Sequence, residues 1–220
     1  MQLSTVMVSL YQHVGLSSPS HTRLLILHSA QDQSAPLCGS LVEMDVISHD
    51  DDAVDRTHER TKYEALSYVW GAPPSGSHLL HVVDSDGDRG SSSDCVSAST
   101  PSVLLITANC DAALRRLRRS SSSSPSRSPF VTDTAGDRAL WVDSICIDQT
   151  TGGSHERNRQ VNMMGDIYEG ADDVLIWLGD GSKRTASLLR HLKRLYVLRN
   201  EFWEDVRTRV CDRYMAICGE

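Results

Sequence analysis

An α/β domain with a mainly parallel β-sheet flanked by helices, preceded by additional N-terminal strands, is the fold class this sequence predicts. Three observations carry that expectation. ALWVDSICID at 139–148 is nearly all apolar, as a strand covered on both faces is, and DVLIWLG at 173–179 is a second stretch of the same kind. Between them Val161, Met164, Ile167, Tyr168 and Ala171 fall on one helical stripe. Strand, helix and strand in that order make a β-α-β unit, whose two strands are expected to be parallel with a right-handed crossover.

The other elements follow in chain order. Residues 1–21 form an N-terminal segment, whose MQLSTVMVSLYQHVG has neither the basic flank nor the compact apolar block of a secretory signal. TRLLILH at 22–28 predicts a first strand, and SLVEMDVI at 40–47 a second, with Leu41, Glu43, Asp45 and Ile47 alternating against Val42, Met44 and Val46. An acidic loop holding Asp50, Asp51, Asp52 and Asp55 leads to YEALSYVWG at 63–71, a strand that Pro73 and Pro74 cannot continue. HLLHVVD at 78–84 is the next strand, and SDGDRGSSSD turns away from it. Thr107 is placed to cap a helix whose Cys110, Ala113, Leu114 and Leu117 follow the i, i+3, i+4, i+7 rule and which ends in arginines. SSSSSPSRSP at 120–129 has too little apolar content to pack and reads as a flexible insertion. Gly153 or Ser154 caps the helix after the 139–148 strand, which leaves Glu156 in its first turn beside the positive end of the dipole. A last helix is expected from about Ser182 to Arg207, with Leu188, Leu189, Leu192, Leu195 and Tyr196 on one side; MAICGE then ends the chain without a clear closing element, which leaves open a longer parent protein.

Composition narrows the function classes. The 220 residues suffice for one domain with its own core, and a net charge of −7 argues against a general nucleic-acid binder, whose phosphate contacts need a Lys/Arg excess. Apolar runs such as LLIL at 24–27 fall far short of a membrane span. Cys38, Cys95, Cys110, Cys146, Cys211 and Cys218 include no C-x-x-C pair, so reduced thiols in a cytoplasmic protein are expected rather than a disulfide framework or a zinc site.

YEALSYVWG, TANCDAALRRLR, LWVDSICIDQ and ERNRQVNMMGDIYEGADDVLIWLG, in that order, resemble the blocks of the fungal heterokaryon-incompatibility (HET) domain, and TRLLIL and GSLVEMDV resemble its lead-in. The resemblance spans residues 22–181 and leaves 182–220 as a C-terminal helical segment. The chain departs from the family at Cys110, where Leu is usual, and at Asp148, where CIDQ replaces CINQ. Membership implies a cytoplasmic effector of non-self recognition and programmed cell death that works through protein partners or self-association. The domain is also distantly similar to the Rossmann-like TIR domains, some of which cleave NAD with a glutamate; that resemblance makes NAD a candidate substrate and NAD glycohydrolase the alternative activity, although fold alone establishes no chemistry.

Candidate site residues follow from the rule that ligands of parallel sheets sit beyond the carboxyl ends of the strands. That rule selects Asp148, Gln149, His155, Glu156 and Arg157 after one strand, Gly179 to Lys183 after the next, and Trp70 and Gly71 if the 63–71 strand runs the same way. Glu156 is the first catalytic candidate, since a carboxylate beside a ribose stabilises an oxocarbenium-like transition state; its plain reading is a helix-start glutamate favoured by the dipole. Glu64 is the second, with an ion pair to Arg or Lys at the strand surface as its plain reading. Asp148, Gln149, Arg157, Trp70 and Gly71 would hold the nucleotide. Cys146 with His155 and Asp148 suggests a thiol hydrolase, against which stands the burial of Cys146 in an apolar stretch. Asp143 needs partners that fix a neighbouring loop. WLGDGSK at 177–183 lacks the third glycine of a dinucleotide fingerprint and reads as a plain strand-to-helix turn. Arg115, Arg116, Arg118, Arg119 and Arg127 complement a helix C-terminus or face an acidic partner. Trp141, Trp177, Met163 and Met164 are core residues on their spacing, and no metal site is expected.

Overall fold

The strands expected between residues 22 and 83 all form, and the sheet they build is mixed. The structure, a computed structural model, describes residues 9–46, 61–83, 102–120, 136–150 and 152–181, with 185, 187, 188, 190 and 191. Its elements are β1 (Ser9–Leu10), β2 (His21–Leu27), β3 (Leu37–Asp45), β4 (Glu64–Tyr68), β5 (Leu79–Val82), β6 (Ser102–Leu105), α1 (Ala108–Leu117), β7 (Arg138–Val142), α2 (Asp143–Cys146), α3 (Ser154–Asn162), α4 (Met164–Glu169) and β8 (Asp173–Trp177). The acidic loop, nearly all of the serine-rich insertion and most of the 182–207 helix lie outside the described residues.

Eight strands lie in the order β1-β6-β5-β3-β2-β7-β4-β8. Four neighbouring pairs are parallel, and β2–β3, β2–β7 and β5–β6 are antiparallel, which corrects the expectation of a mainly parallel sheet. The reason is loop length. Residues 28–36 between β2 and β3 are too few for a crossover, which takes a dozen or more, so the two strands turn back on each other. The N-terminal strands are not appended at a margin either: β2 pairs directly with β7. Parallel pairing holds where the longer connections are, in the block β7-β4-β8, and β7 and β8 run the same way with β4 between them. Tyr68, Val142 and Trp177 therefore close three strands at one end of the sheet.

ALWVDSICID is not one strand. It stops at Val142, and Asp143–Cys146 closes a helical turn through the Ile147 N–H to the Asp143 carbonyl, 3.2 Å. The apolar residues on both sides of the break are buried, so an apolar run alone could not separate the two halves. The stripe that follows also divides: the helix breaks at Met163, Val161 is left exposed, and Ile167 is fully buried while Tyr168 meets Trp141 edge-on. The break shifts the phase of the second half relative to the first.

The helices cover the two faces of the parallel block differently. In-register Leu66, Val142 and Leu175 share a face with Tyr68 and Trp177, and α1 lies over it: Trp177 Nε1 donates to Asn109 Oδ1 at 2.9 Å, and Arg138 donates to the Leu117 carbonyl at 3.0 Å. Thr107 caps α1 as expected, accepting from the Cys110 N–H, and Cys110, Ala113, Leu114 and Leu117 are all buried. Ala65, Trp141 and Val174 mark the opposite face, where Tyr168 of α4 packs. Arg118 is only 3 % exposed and donates to the carbonyls of Asp32, Gln33, Ala35 and Pro36, while Arg115 reaches Gln33, Ala35 and Asp111; these two arginines hold the β2–β3 loop. Cys110 and Cys146 are free thiols, whereas Cys38 is disulfide-bonded, which departs from the expectation of reduced cysteines throughout.

Candidate functional site

Where β4 and β7 end, the chain turns outward through polar residues. Gly71 adopts φ +75°, a conformation that side chains disfavour, and this lets β4 exit sharply after Trp70. The Trp70 indole N–H reaches both carboxylate oxygens of Asp143, at 3.1 and 2.9 Å, and Asp143 Oδ1 also accepts from the Ser144 N–H at 2.7 Å. Tyr68 and Ser144 share a hydroxyl–hydroxyl bond of 2.5 Å, and Gln149 donates to the Asp143 carbonyl at 3.1 Å. Asn109, at the start of α1, donates to the Val69 carbonyl and accepts from Trp177. Four sequence-distant stretches thus meet at the carboxyl ends of the parallel strands.

The titratable groups here are all shifted by burial. Burial raises the Asp143 carboxyl, and the Trp70 indole and Ser144 N–H pull it part of the way back. Tyr68 is pushed up by burial and by the nearby Cys110 thiol. Cys110 rises to about 11, and Cys146, fully buried, to about 12, so both thiols are protonated at neutral pH and neither is a nucleophile. Cys146 does not contact His155 or Asp148 in the manner a thiol hydrolase requires; its sulfur takes the Val142 N–H at 3.3 Å.

A second cluster surrounds the start of α3. Arg23 of β2 donates to both oxygens of Glu156, at 2.6 and 3.0 Å, to the Cys146 carbonyl at 3.1 Å and to the Val14 carbonyl. Burial opposes ionisation of Glu156, but the Arg23 bonds and charge prevail and hold its carboxyl below the usual range. Asp148 is likewise lowered: burial works against it, and the Thr150 N–H at 2.9 Å, with His13 and Arg23 nearby, outweighs that. Gly153 permits this turn, because a side chain there would collide with the Asp148 carboxylate. His13 bonds the Ile145 carbonyl at 2.8 Å, so residues 11–17 lie as a strap over the turn. Beside Arg23 opens a cleft of about 200 Å³ lined by Tyr11, Val14, Leu41, Val42 and Val82.

The predicted site residues are thereby divided. Trp70, Gly71 and Gln149 gather around Asp143, whereas Glu156 and Asp148 belong to the Arg23 cluster, and residues 143–149 join the two groups. Arg157 enters neither: among the described residues its side chain makes no hydrogen bond, and its N–H continues the helix to Gly153. Glu64 stands apart at the amino end of β4, 2 % exposed, in a two-pronged ion pair with Arg138 at the start of β7. Sequence reasoning missed Asn109 and Ser144 as members of the polar cluster, and Arg23 as the partner of Glu156. The signal for Arg23 was present: it directly precedes the apolar run at 24–27 of its strand, and a buried charge requires a partner.

Comparison with known proteins fits this geometry into a family. A profile described as Heterokaryon incompatibility protein (HET) matches residues 63–214, more than half of the chain. The chain belongs to the heterokaryon incompatibility family. A HET relative, Heterokaryon incompatibility protein 6, OR allele, of Neurospora crassa, is 31% identical over 183 residues, covering 81% of this chain and 22% of its own length. This chain thus spans about a fifth of that relative. No solved structure matches. Both polar clusters lie largely within the HET match, with Arg23, His13 and the strap contributed from the sheet half that precedes it.

Proposed function

We propose that this chain is an effector module of fungal non-self recognition, acting in heterokaryon incompatibility and in the cell death that follows, in the cytoplasm, through contact with protein partners or with copies of itself. The observation that carries this reading is the state of the two candidate carboxylates. Glu156 and Glu64 each have both oxygens engaged by a largely buried arginine, and removing either partner would strand a charge, so neither carboxylate stands free for a ligand. Beside the Asp143 cluster, by contrast, apolar side chains face solvent: Val69, Trp70 and Leu178 are 74 %, 42 % and 68 % exposed. Family membership and the name of the Neurospora relative support the biological setting. Among the described residues no helix is long and apolar enough to cross a membrane.

One observation favours a second reading, a TIR-like hydrolase that cleaves NAD with a glutamate. The Glu156 carboxyl at the start of α3 is held below its usual range by Arg23, which itself lines the cleft, and an anionic group near a ribose stabilises a developing sugar cation. The test is NAD consumption by the purified chain at low and high protein concentration, with Glu156→Ala and Glu64→Ala alongside and sedimentation of the same samples. The interaction reading expects concentration-dependent association without NAD loss. Cleavage that vanishes in a folded Glu156→Ala chain would replace it with the hydrolase.

A further inference from the structure

The cleft beside Arg23 lies between the strap and the sheet, and two charged residues border it. Arg23 of β2 and Glu43 of β3 are direct partners across the antiparallel pair, so both stand on one face of the sheet. Among the described residues each keeps one polar atom unused. Arg23 is 4 % exposed; its Nη1 and Nη2 serve both oxygens of Glu156 and the carbonyls of Cys146 and Val14, and nothing accepts from its Nε. In the rigid guanidinium fork the Nε–H runs beside the outer N–H of Nη2, the one given to Val14, so it is aimed at the strap residues that wall the cleft. Glu43 engages the Ser17 N–H, the Ser17 hydroxyl and His21 Nδ1 through Oε1 alone, at 2.6, 2.7 and 2.7 Å, which leaves Oε2 for another donor.

We propose that this cleft binds a small apolar α-amino acid as its zwitterion, the carboxylate accepting from Arg23 Nε–H and the ammonium donating to Glu43 Oε2, with the aliphatic side chain among Val14, Leu16, Leu41, Val42 and Val82. Charge selects the zwitterion. Glu156 already neutralises Arg23, so with His21 neutral the Glu43 carboxylate leaves the wall one negative charge in excess; that repels a bare anion, while a bare amine leaves the Nε–H unanswered. Size selects a small molecule: about 200 Å³ is less than the roughly 300 Å³ at which pockets for drug-sized ligands begin. The lining selects an apolar side chain, whose removal from water is favourable. Because the same guanidinium holds the Val14 carbonyl and Glu156, an occupied cleft ties the strap to the start of α3. Such binding requires neither self-association nor NAD cleavage.

Methyl NMR on the full chain tests this with three probes that share one aliphatic body: leucine, isocaproate, which lacks the ammonium, and isopentylamine, which lacks the carboxylate. Leucine should shift the methyls of Val14, Leu16, Val42 and Val82 saturably, and each analogue should bind about tenfold or more weakly, because a hydrogen bond to a charged group is lost. Glu43→Gln, a near-isosteric change at an exposed position, should weaken leucine about tenfold without weakening isocaproate. A loosened strap would instead weaken both probes alike, and that result overturns the proposal. No saturable shift with leucine overturns it outright, as does isocaproate binding as tightly as leucine. Displacement of bound leucine by NAD overturns it as well, since the cleft then belongs to the nucleotide.

Discussion

Replacing Glu156 separates a structural carboxylate from a catalytic one, because the ion pair with Arg23 sets the cost. The Arg23 side chain is 5 % exposed and that of Glu156 12 %. In Glu156→Met the guanidinium keeps only the Val14 and Cys146 carbonyls, and a buried cation loses its counter-charge. Removing one partner of a buried pair costs about 3 to 5 kcal/mol, and since water reaches the edge of this one we expect about 3 kcal/mol. Glu156→Gln retains one acceptor and should cost about 1 to 2 kcal/mol. At roughly 2 to 4 °C per kcal/mol for a chain of this size, Tm falls by roughly 6 to 12 °C in the first variant. Urea titration gives the free energies, and Arg23→Met/Glu156→Met should fall short of the summed single losses by about 1 to 3 kcal/mol. The pH dependence has a definite sign. Glu156 is lowered in the fold from its ordinary 4.5, so its contribution is present above that pH and is lost as pH falls through the folded value. Glu156→Gln should therefore flatten the acid side of the stability curve. A Glu156→Met chain as stable as the unaltered one would refute the reasoning and leave the carboxylate free for chemistry.

Glu64→Leu and Arg138→Met should each cost about 3 to 5 kcal/mol, and the double variant should recover most of that because it leaves no buried charge; thermal melting decides, and a double loss equal to the sum would sink the idea. Gly71→Ala should cost about 1 to 2 kcal/mol by urea titration, since alanine resists the φ of +75° that the exit of β4 uses. Cys110 and Cys146 should escape a thiol reagent at pH 8 until denaturant is added, as peptide mapping by mass spectrometry would show, because burial holds them near 11 and 12.

Much of the fold was legible because its signals are local. The α1 cap and stripe need only Thr107 and four apolar residues at helical spacing, and both form as read. Strand direction was less legible, since it depends on the length of the connection and on which strand inserts where: β2 enters beside β7, and nothing within TRLLIL announces that neighbour. β1 and β6, two and four residues long, are too short for a periodic pattern to emerge. The candidate site was half legible. Trp70, Gly71 and Gln149 lie at strand ends, where the carboxyl-end rule puts them, yet the sequence of Glu156 reports its helix position and not its partner 133 residues away. Charge can be read locally, whereas pairing is a property of the assembled sheet.

YEALSYVWG joins these levels along a single strand. At its amino end Glu64 is tied to Arg138, and past its carboxyl end Trp70 is tied to Asp143, so the block binds β4 to the chain of β7 at both extremities. Exposure rises along it, from 2 % at Glu64 and 0 % at Ala65 to 74 % at Val69 and 42 % at Trp70. The first half is therefore closed to any ligand or partner, and its polar residue serves the sheet. Only the second half meets solvent, and there the indole offers a partly open aromatic face while its N–H is already used to hold Asp143. A partner that docks on that face and displaces the indole would remove a hydrogen bond that favours the charged carboxylate, leaving burial to raise the Asp143 carboxyl further. Contact at Trp70 would therefore act on the half-buried carboxyl beneath it, whichever of the two readings the NAD and association measurements favour.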